Sequence, residues 1–316
     1  MIWIYLCCRP SLLHFPENAN LEFSFRPLGA NCPSGGVAAD SKFKNPNHMK
    51  RREFLKTSLA ASAIAGLGAA GSSGSAAEPG AAEREYYELR IYRFKSGSKT
   101  DSLEGYLEKA AIPALNRLGS QPVGVFTERD AKDAPAIYVL IPYPSLTAFS
   151  EVTSRLLADP ELQKAGASYL ETPANNPGFD RIESWLMLAF AGMPKIELPA
   201  YSRERKPRMF ELRIYPSYSE VKALKKVEMF NKGEMDVMRE TGLAPVFYGQ
   251  TLIGSGLPQL TYMLSAENQE AHSKHWQAFG SHPTWKKMRS DPEYADTVIE
   301  KAIKNHFLLP TAYSQI

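Results

Sequence analysis

The sequence predicts an α+β protein of two tandem ferredoxin-like domains, each βαββαβ, folded together as an intramolecular α/β-barrel-like pseudo-dimer. Three observations lead there. The pentapeptide Glu-Leu-Arg-Ile-Tyr occurs twice, at 88–92 and 211–215. The same shift of 123 residues lays Gly119 on Gly242 and Pro122-Val123 on Pro245-Val246. The pattern that follows each pentapeptide also runs in one order, which makes the unit a whole domain rather than a solenoid repeat.

Each copy opens with an alternating strand, 86–94 and 209–215, whose period of two suits a sheet with one buried face. A helical stretch follows (102–118; 220–240), closed by Gly119 and Gly242, the residue type that suits the left-handed turn after a helix. Two strands joined by turn-rich hairpins come next, 122–129 with 137–142 and 244–252 with 259–265. A second helical region (145–157; 268–280, with a further turn to 287) leads to a closing strand at 181–190 and 302–309. The domains are therefore set at 84–190 and 208–316, with 191–207 as a Pro- and charge-rich linker. A four-stranded sheet with helices on one side leaves its other face bare, and two such faces can cover each other.

Charge is uneven along the 316 residues. Residues 1–77 hold eight of the 37 Lys/Arg and four of the 34 Asp/Glu, leaving 29 basic and 30 acidic residues beyond them. That balance argues against nucleic acid as a partner. The basic run around Arg203, Arg205 and Arg208 reads as a solvated linker. From Met49 the chain reads MKRREFLKTSLAASAIAGLGAAG. Arg51, Arg52, Phe54, Leu55 and Lys56 followed by a weak Ala/Gly stretch resemble a bacterial twin-arginine signal peptide over 49–77. Its apolar run is shorter than the roughly 20 residues a membrane span needs, so no stable span is expected after cleavage. The expected location is periplasmic or otherwise extracytoplasmic. Residues 1–48 read as a mis-assigned, disordered upstream extension, with Met49 as the start. Cys7, Cys8 and Cys32 all lie in it, so the exported chain offers no thiolate nucleophile and no disulfide.

The doubled Y/F-ELR-x-Y strand, His275-Trp276 with Phe279, Pro283-Thr-Trp285, Asp291-Pro292-Glu293 and Phe307-Leu-Leu-Pro310 together resemble the NIPSNAP family of the dimeric α/β-barrel superfamily. The resemblance runs over 84–314. It implies a fold shared with monooxygenases and chlorite dismutases, and no agreed catalytic residues. Repeat 1 has Ser154-Arg-Leu-Leu157 where the family's W-x-x-F pair is expected, which implies a more structural role for that half.

Candidate site residues fall in two groups. On the opening strands, Glu88, Arg90 and Tyr92, with their twins Glu211, Arg213 and Tyr215, share one side, while Leu89 and Ile91 share the other. The apolar pair is expected to pack under the helices. The polar triples are expected at the interface between domains, as an ion-pair lock or as a pocket for an anionic or carbonyl ligand. The second group is His272 and His275 at helical spacing with Trp276 and Phe279, then His282 and Trp285. His272 and His275 align with apolar Phe149 and Val152, which points to a cavity between helix and sheet. There the histidines serve acid/base chemistry, or stand as ordinary helix-edge residues. His306 is a lesser candidate. No metal site and no cofactor are predicted; haem is the alternative that a histidine cavity admits. The function expected is that of an exported small-ligand-binding or protein-interaction module, with an oxidoreductase or monooxygenase using the histidine cavity as the alternative. A small molecule or a protein is the expected partner, and homo-oligomerisation stays open.

Overall fold

A computed structural model describes residues 83–131, 134–295 and 301–316. The signal-like segment 49–77, the extension before it and all three cysteines lie outside the described residues. All of the described residues fall in one compact unit.

The first repeat begins with β1 (Tyr86–Arg93) and a helix α1 built of Asp101–Tyr106, a π-helical turn Leu107–Ala111 and Ile112–Arg117. Then come β2 (Gly124–Glu128), β3 (Ala136–Tyr143), α2 (Leu146–Leu157), α3 (Pro160–Leu170) and β4 (Arg181–Ala189). A short helix α4 (Ala200–Arg203) lies in the connection. The second repeat holds β5 (Met209–Pro216) and helix α5, which is Glu220–Met229, a π-helical turn Phe230–Glu234 and Met235–Glu240. It ends with β6 (Ala244–Ile253), β7 (Gln259–Ala266), α6 (Gln269–Ser281), α7 (Pro283–Arg289) and β8 (Lys304–Pro310). Both π-helical turns sit at equivalent places, 107 and 230. Gly119 and Gly242 end the two first helices at φ +88° and +85°, a conformation that costs a side chain-bearing residue strain. Ser145 and Asn268 each accept a backbone N–H at the start of α2 and α6, which satisfies an otherwise orphaned donor.

Among the described residues the eight strands close into one antiparallel barrel, in the order β1-β3-β2-β8-β5-β7-β6-β4. Each repeat contributes four neighbouring strands, 4-1-3-2 in its own numbering. Instead of two sheets merely laid face on face, their edges are zipped: β2 pairs with β8 and β4 with β6. The reason is backbone chemistry. An open four-stranded sheet leaves a row of unpaired N–H and C=O groups on β2 and β4, and pairing with the other repeat satisfies them. At the β4·β6 seam the strands approach so closely that a Cβ on Gly249 would fall 2.8 Å from Cβ of Met187.

The barrel interior is one apolar layer shared by both repeats, with Leu89, Ile91, Phe126, Leu140, Met187, Phe210, Leu212, Phe247 and Met263 among its buried members. This reverses the expected orientation of the opening strands. Leu89 and Ile91 point into the barrel, and Glu88, Arg90 and Tyr92 lie on the helix-covered side. A closed barrel offers a charged side chain no route to water at mid-height. The helix-covered side does, because a long side chain can reach the edge of the layer.

The linker and the last residues plug one end of the barrel. Ile196 and Leu198 pack on the interior, Ile316 is buried in it, and Arg205 and Arg208 donate to the carbonyls of Ser314 and Ile316. That basic run is thus only partly a solvated linker. The other end is polar. His306 Nδ1 on β8 lies 2.6 Å from Glu128 Oε1 on β2, and Tyr138 donates to the same carboxylate at 2.9 Å. The side chains that link the two repeats here are Glu128, Tyr138 and His306, not the Glu-Arg-Tyr triples for which an ion-pair lock is expected. His306 also stands here rather than in a histidine cavity. Among the described residues no helix is long and apolar enough to cross a membrane.

Candidate functional site

The two Glu-Arg-Tyr triples each stay within their own repeat. In repeat 2, α6 lays His272 and Trp276 over β5. Glu211 is 2 % exposed. Its Oε1 accepts from Arg213 Nη1 at 2.6 Å; its Oε2 accepts from Trp276 Nε1 at 2.9 Å and lies 2.8 Å from His272 Nε2. Arg213 also donates through Nε and Nη2 to the Tyr215 hydroxyl, and its guanidinium stacks 4.5 Å from the Trp276 ring. The Tyr215 and Tyr262 hydroxyls are 2.8 Å apart. Each of the three guanidinium nitrogens of Arg213 therefore makes a hydrogen bond.

Burial opposes ionisation of Glu211, yet the bond from His272 and the charge of Arg213 outweigh it and hold its carboxyl below the usual range. A folded-state value below the unfolded one means that this contribution to stability is complete above about pH 4–5 and lost as pH falls through the folded value. An acid titration of unfolding free energy should therefore show an extra loss below that range that Glu211→Gln removes. Burial, with Arg213 opposing, raises Tyr215, and burial together with Tyr215 raises Tyr262 further, so both hydroxyls stay protonated.

Only one of the three helix histidines enters this network. His275 lies on the turn that closes α5, where a Cβ on Gly242 would meet its ring at 2.8 Å. His282 is half-exposed, 3.3 Å from Glu240. The expected pair of histidines facing one cavity is therefore not formed. Residues three apart on a helix diverge by about 60°, and His275 meets Gly242 in the turn between α5 and β6 while His272 faces β5. Phe279 and Trp285 pack ring on ring, 4.5 Å between centroids, and Trp276 meets Phe279 edge-on at 5.4 Å, so Phe279 is core and the two half-buried tryptophans pack against it. His272 does not fit a haem ligand. An iron-binding imidazole needs a free ring nitrogen facing open space, and Nε2 of His272 is spent on Glu211 with Trp276 and Phe307 against its ring. Among the described residues no cluster of three or more His, Cys, Asp and Glu could hold a metal ion.

Repeat 1 uses the same triple differently. Glu88 Oε1 accepts from Arg90 Nε at 2.6 Å and from Ser184 at 2.7 Å, and Oε2 accepts from Tyr143 at 2.8 Å. Tyr143 thus fills the place that His272 takes in repeat 2. Arg90 makes no other hydrogen bond among the described residues, and its side chain is 24 % exposed against 12 % for Arg213. Its two Nη groups stay unbonded. Burial works against its charge, and the Glu88 carboxylate beside it more than restores it, so it stays a cation.

Around Arg90 stand Tyr92, Tyr106 and Tyr169, whose hydroxyls also lack protein partners among the described residues. Tyr106 and Tyr169 stack at 4.2 Å, and Tyr92 meets Phe179 edge-on at 5.7 Å. Burial and the neighbouring Tyr92 hydroxyl push Tyr106 and Tyr169 up, with Arg90 pulling back, which keeps them protonated as donors. Phe179 also lines a cleft of about 520 Å³ with Phe94, Ser102 and Ser168.

The NIPSNAP family model matches residues 87–173 and 210–315. The chain belongs to the NIPSNAP family. Arg90, Tyr92, Tyr106 and Tyr169 fall within the first matched segment of this NIPSNAP chain, and Glu211, Arg213, His272 and Trp276 within the second. Comparison with the curated proteins gives no match. Among solved structures, a NIPSNAP-like domain protein from Burkholderia xenovorans is 21% identical over 34% of this chain and 88% of its own, with a TM-score of 0.30. A putative monooxygenase from Lactobacillus acidophilus is 10% identical over 72% of this chain and 94% of its own, TM-score 0.47. A mutant chlorite dismutase from Candidatus Nitrospira defluvii is 8% identical over 73% and 92%, TM-score 0.38. At such scores these likenesses say nothing about chemistry.

The sequence treats Arg90 and Arg213 as equals; the geometry makes them unequal, since all three guanidinium nitrogens of Arg213 are bonded and only Nε of Arg90 is. Tyr143 and Tyr262 could have been found by strand alternation. Tyr169 could not, because the helix that carries it was not expected.

Proposed function

We propose that this NIPSNAP protein is an exported binder of a small, oxygen-bearing ligand, built on an intramolecular pseudo-dimeric barrel, and that Arg90 anchors the ligand. The twin-arginine-like segment at 51–56 supports export. The observation that carries the binding reading is the asymmetry of the two equivalent arginines. Every nitrogen of the Arg213 guanidinium bonds within the protein, whereas Arg90 presents two unbonded Nη groups beside three tyrosine hydroxyls without protein partners among the described residues. Unpaired donors in a half-buried site gain most when an acceptor arrives, because water is already partly excluded there.

The oxidoreductase alternative has less support, since His272, the buried histidine among the described residues, is held by Glu211. Titrating the purified protein with acetate and inorganic phosphate while recording arginine side-chain NMR resonances tests the binding reading. At least one of these minimal oxyanions should shift the Arg90 signal and leave Arg213 in place, and Arg90→Gln should abolish the response. A spectrum in which Arg90 stays still for both would defeat the reading.

A further inference from the structure

We infer that the Arg90 site takes a monocarboxylate carried on a flat apolar body, such as an aryl acid, and that Glu88 makes it reject dianions. The inference rests on the binding reading above and names the ligand class for that site. Two features choose the class.

The first is charge. Glu88 is buried, its Oε1 2.6 Å from Arg90 Nε, so the pair is close to neutral as a unit. A second full negative charge at the open side of Arg90 would feel the Glu88 carboxylate through a poorly screened layer. One negative charge can share the guanidinium with Glu88, whereas the doubly charged form of a phosphate, populated near neutrality, cannot do so cheaply. The adjoining cleft adds no bias, since Lys95 and Lys99 are matched by Asp101 and Asp180 along its wall.

The second feature is shape. The donors are fixed before any ligand arrives. Tyr106 is held between Tyr169 and Gly166, where a Cβ would touch its ring at 3.0 Å. Tyr169 is held in turn against Gly178, where a Cβ would come within 2.9 Å. With both rings pinned, the tyrosines offer hydroxyls to a planar head group at little further entropic cost. The planar fork of Arg90 suits the two oxygens of a carboxylate. Phe179 packs against Tyr92 and Tyr169 and, with Phe94, is an aromatic side chain of the cleft wall, so the ring cluster around Arg90 reaches the cleft through Phe179, where a flat apolar body finds an aromatic face.

Calorimetric titration of the full chain at pH 7 with benzoate, acetate and inorganic phosphate tests this. Benzoate should bind at least tenfold tighter than acetate, which lacks the body, and at least tenfold tighter than phosphate. Arg90→Lys, which keeps the charge and loses the fork, should weaken benzoate at least tenfold. Tyr169→Phe, which keeps the ring packing, should weaken it about threefold or more. Glu88→Gln should close most of the gap between benzoate and phosphate. Phosphate or acetate binding as tightly as benzoate, with the Arg90→Lys loss intact, would overturn the ligand class and leave Arg90 as an anion anchor. No binding of any probe, or binding untouched by both Arg90→Lys and Tyr169→Phe, would overturn the class and the anchor together.

Discussion

Glu211→Ala will destabilise the protein by about 3–5 kcal/mol, the cost of stripping the partner from a buried charge. The carboxylate is the one acceptor shared by Arg213, His272 and Trp276, all on the covered side of β5. Its removal leaves Arg213 with a cation in an apolar layer and only the Tyr215 hydroxyl as acceptor. It also strands an indole N–H and an imidazole. The equivalent change in repeat 1, Glu88→Ala, will cost less, about 1–3 kcal/mol, because water reaches Arg90 and can solvate it. Urea unfolding of the two variants side by side, followed by far-ultraviolet circular dichroism, checks both the size and the order. Equal losses would mean that the two arginines are equally buried in solution.

Phe210→Ala will cost about 3–5 kcal/mol, the range for emptying a fully buried aromatic site. Phe210 of repeat 2 meets Phe126 of repeat 1 edge to face, 4.9 Å between ring centroids, inside the barrel. Both are fully buried. The deletion therefore removes a contact between repeats as well as apolar area. Because the barrel has one interior made by both repeats, the destabilised variant should still unfold in a single transition, with repeat 1 lost together with repeat 2. Two transitions in calorimetry, one of them unmoved by the substitution, would show that each repeat owns a separate core.

Much of the fold was legible locally. Alternation in Glu-Leu-Arg-Ile-Tyr marked both opening strands within a residue or two of β1 and β5, and Gly119 and Gly242 marked both helix ends. The helix α3 was the main element missed. Asp159-Pro160 carries a start signature, since Asp159 accepts the N–H groups of Glu161 and Leu162 and Pro160 takes the first turn. The equivalent His282-Pro283 shares only the proline, so the repeat did not reveal it. Missing α3 also hid Tyr169, and with it the donor cluster around Arg90.

The candidate site was legible as a set of residues and illegible as an arrangement. Glu88, Arg90, Glu211 and Arg213 are expected at the interface between domains, whereas each arginine bonds the glutamate two residues before it on its own strand. The histidines were grouped by helical spacing, yet one of the three reaches the strand. Spacing gives the angle between side chains on a helix and says nothing of how far the sheet beneath extends.

Amino-acid order alone determined that the Glu-Leu-Arg-Ile-Tyr strand occurs twice, with its period of two, and that a glycine closes the helix after each copy. These depend on neighbours in the chain. Tertiary structure alone decided which face of β1 and β5 meets the barrel, that the edges close, and that Arg90 keeps a free fork while Arg213 does not. Alternation sorts side chains into two faces without labelling them. The label comes from closure: once β2·β8 and β4·β6 pair, the interior has no path to water, and the charged face must turn toward the helices.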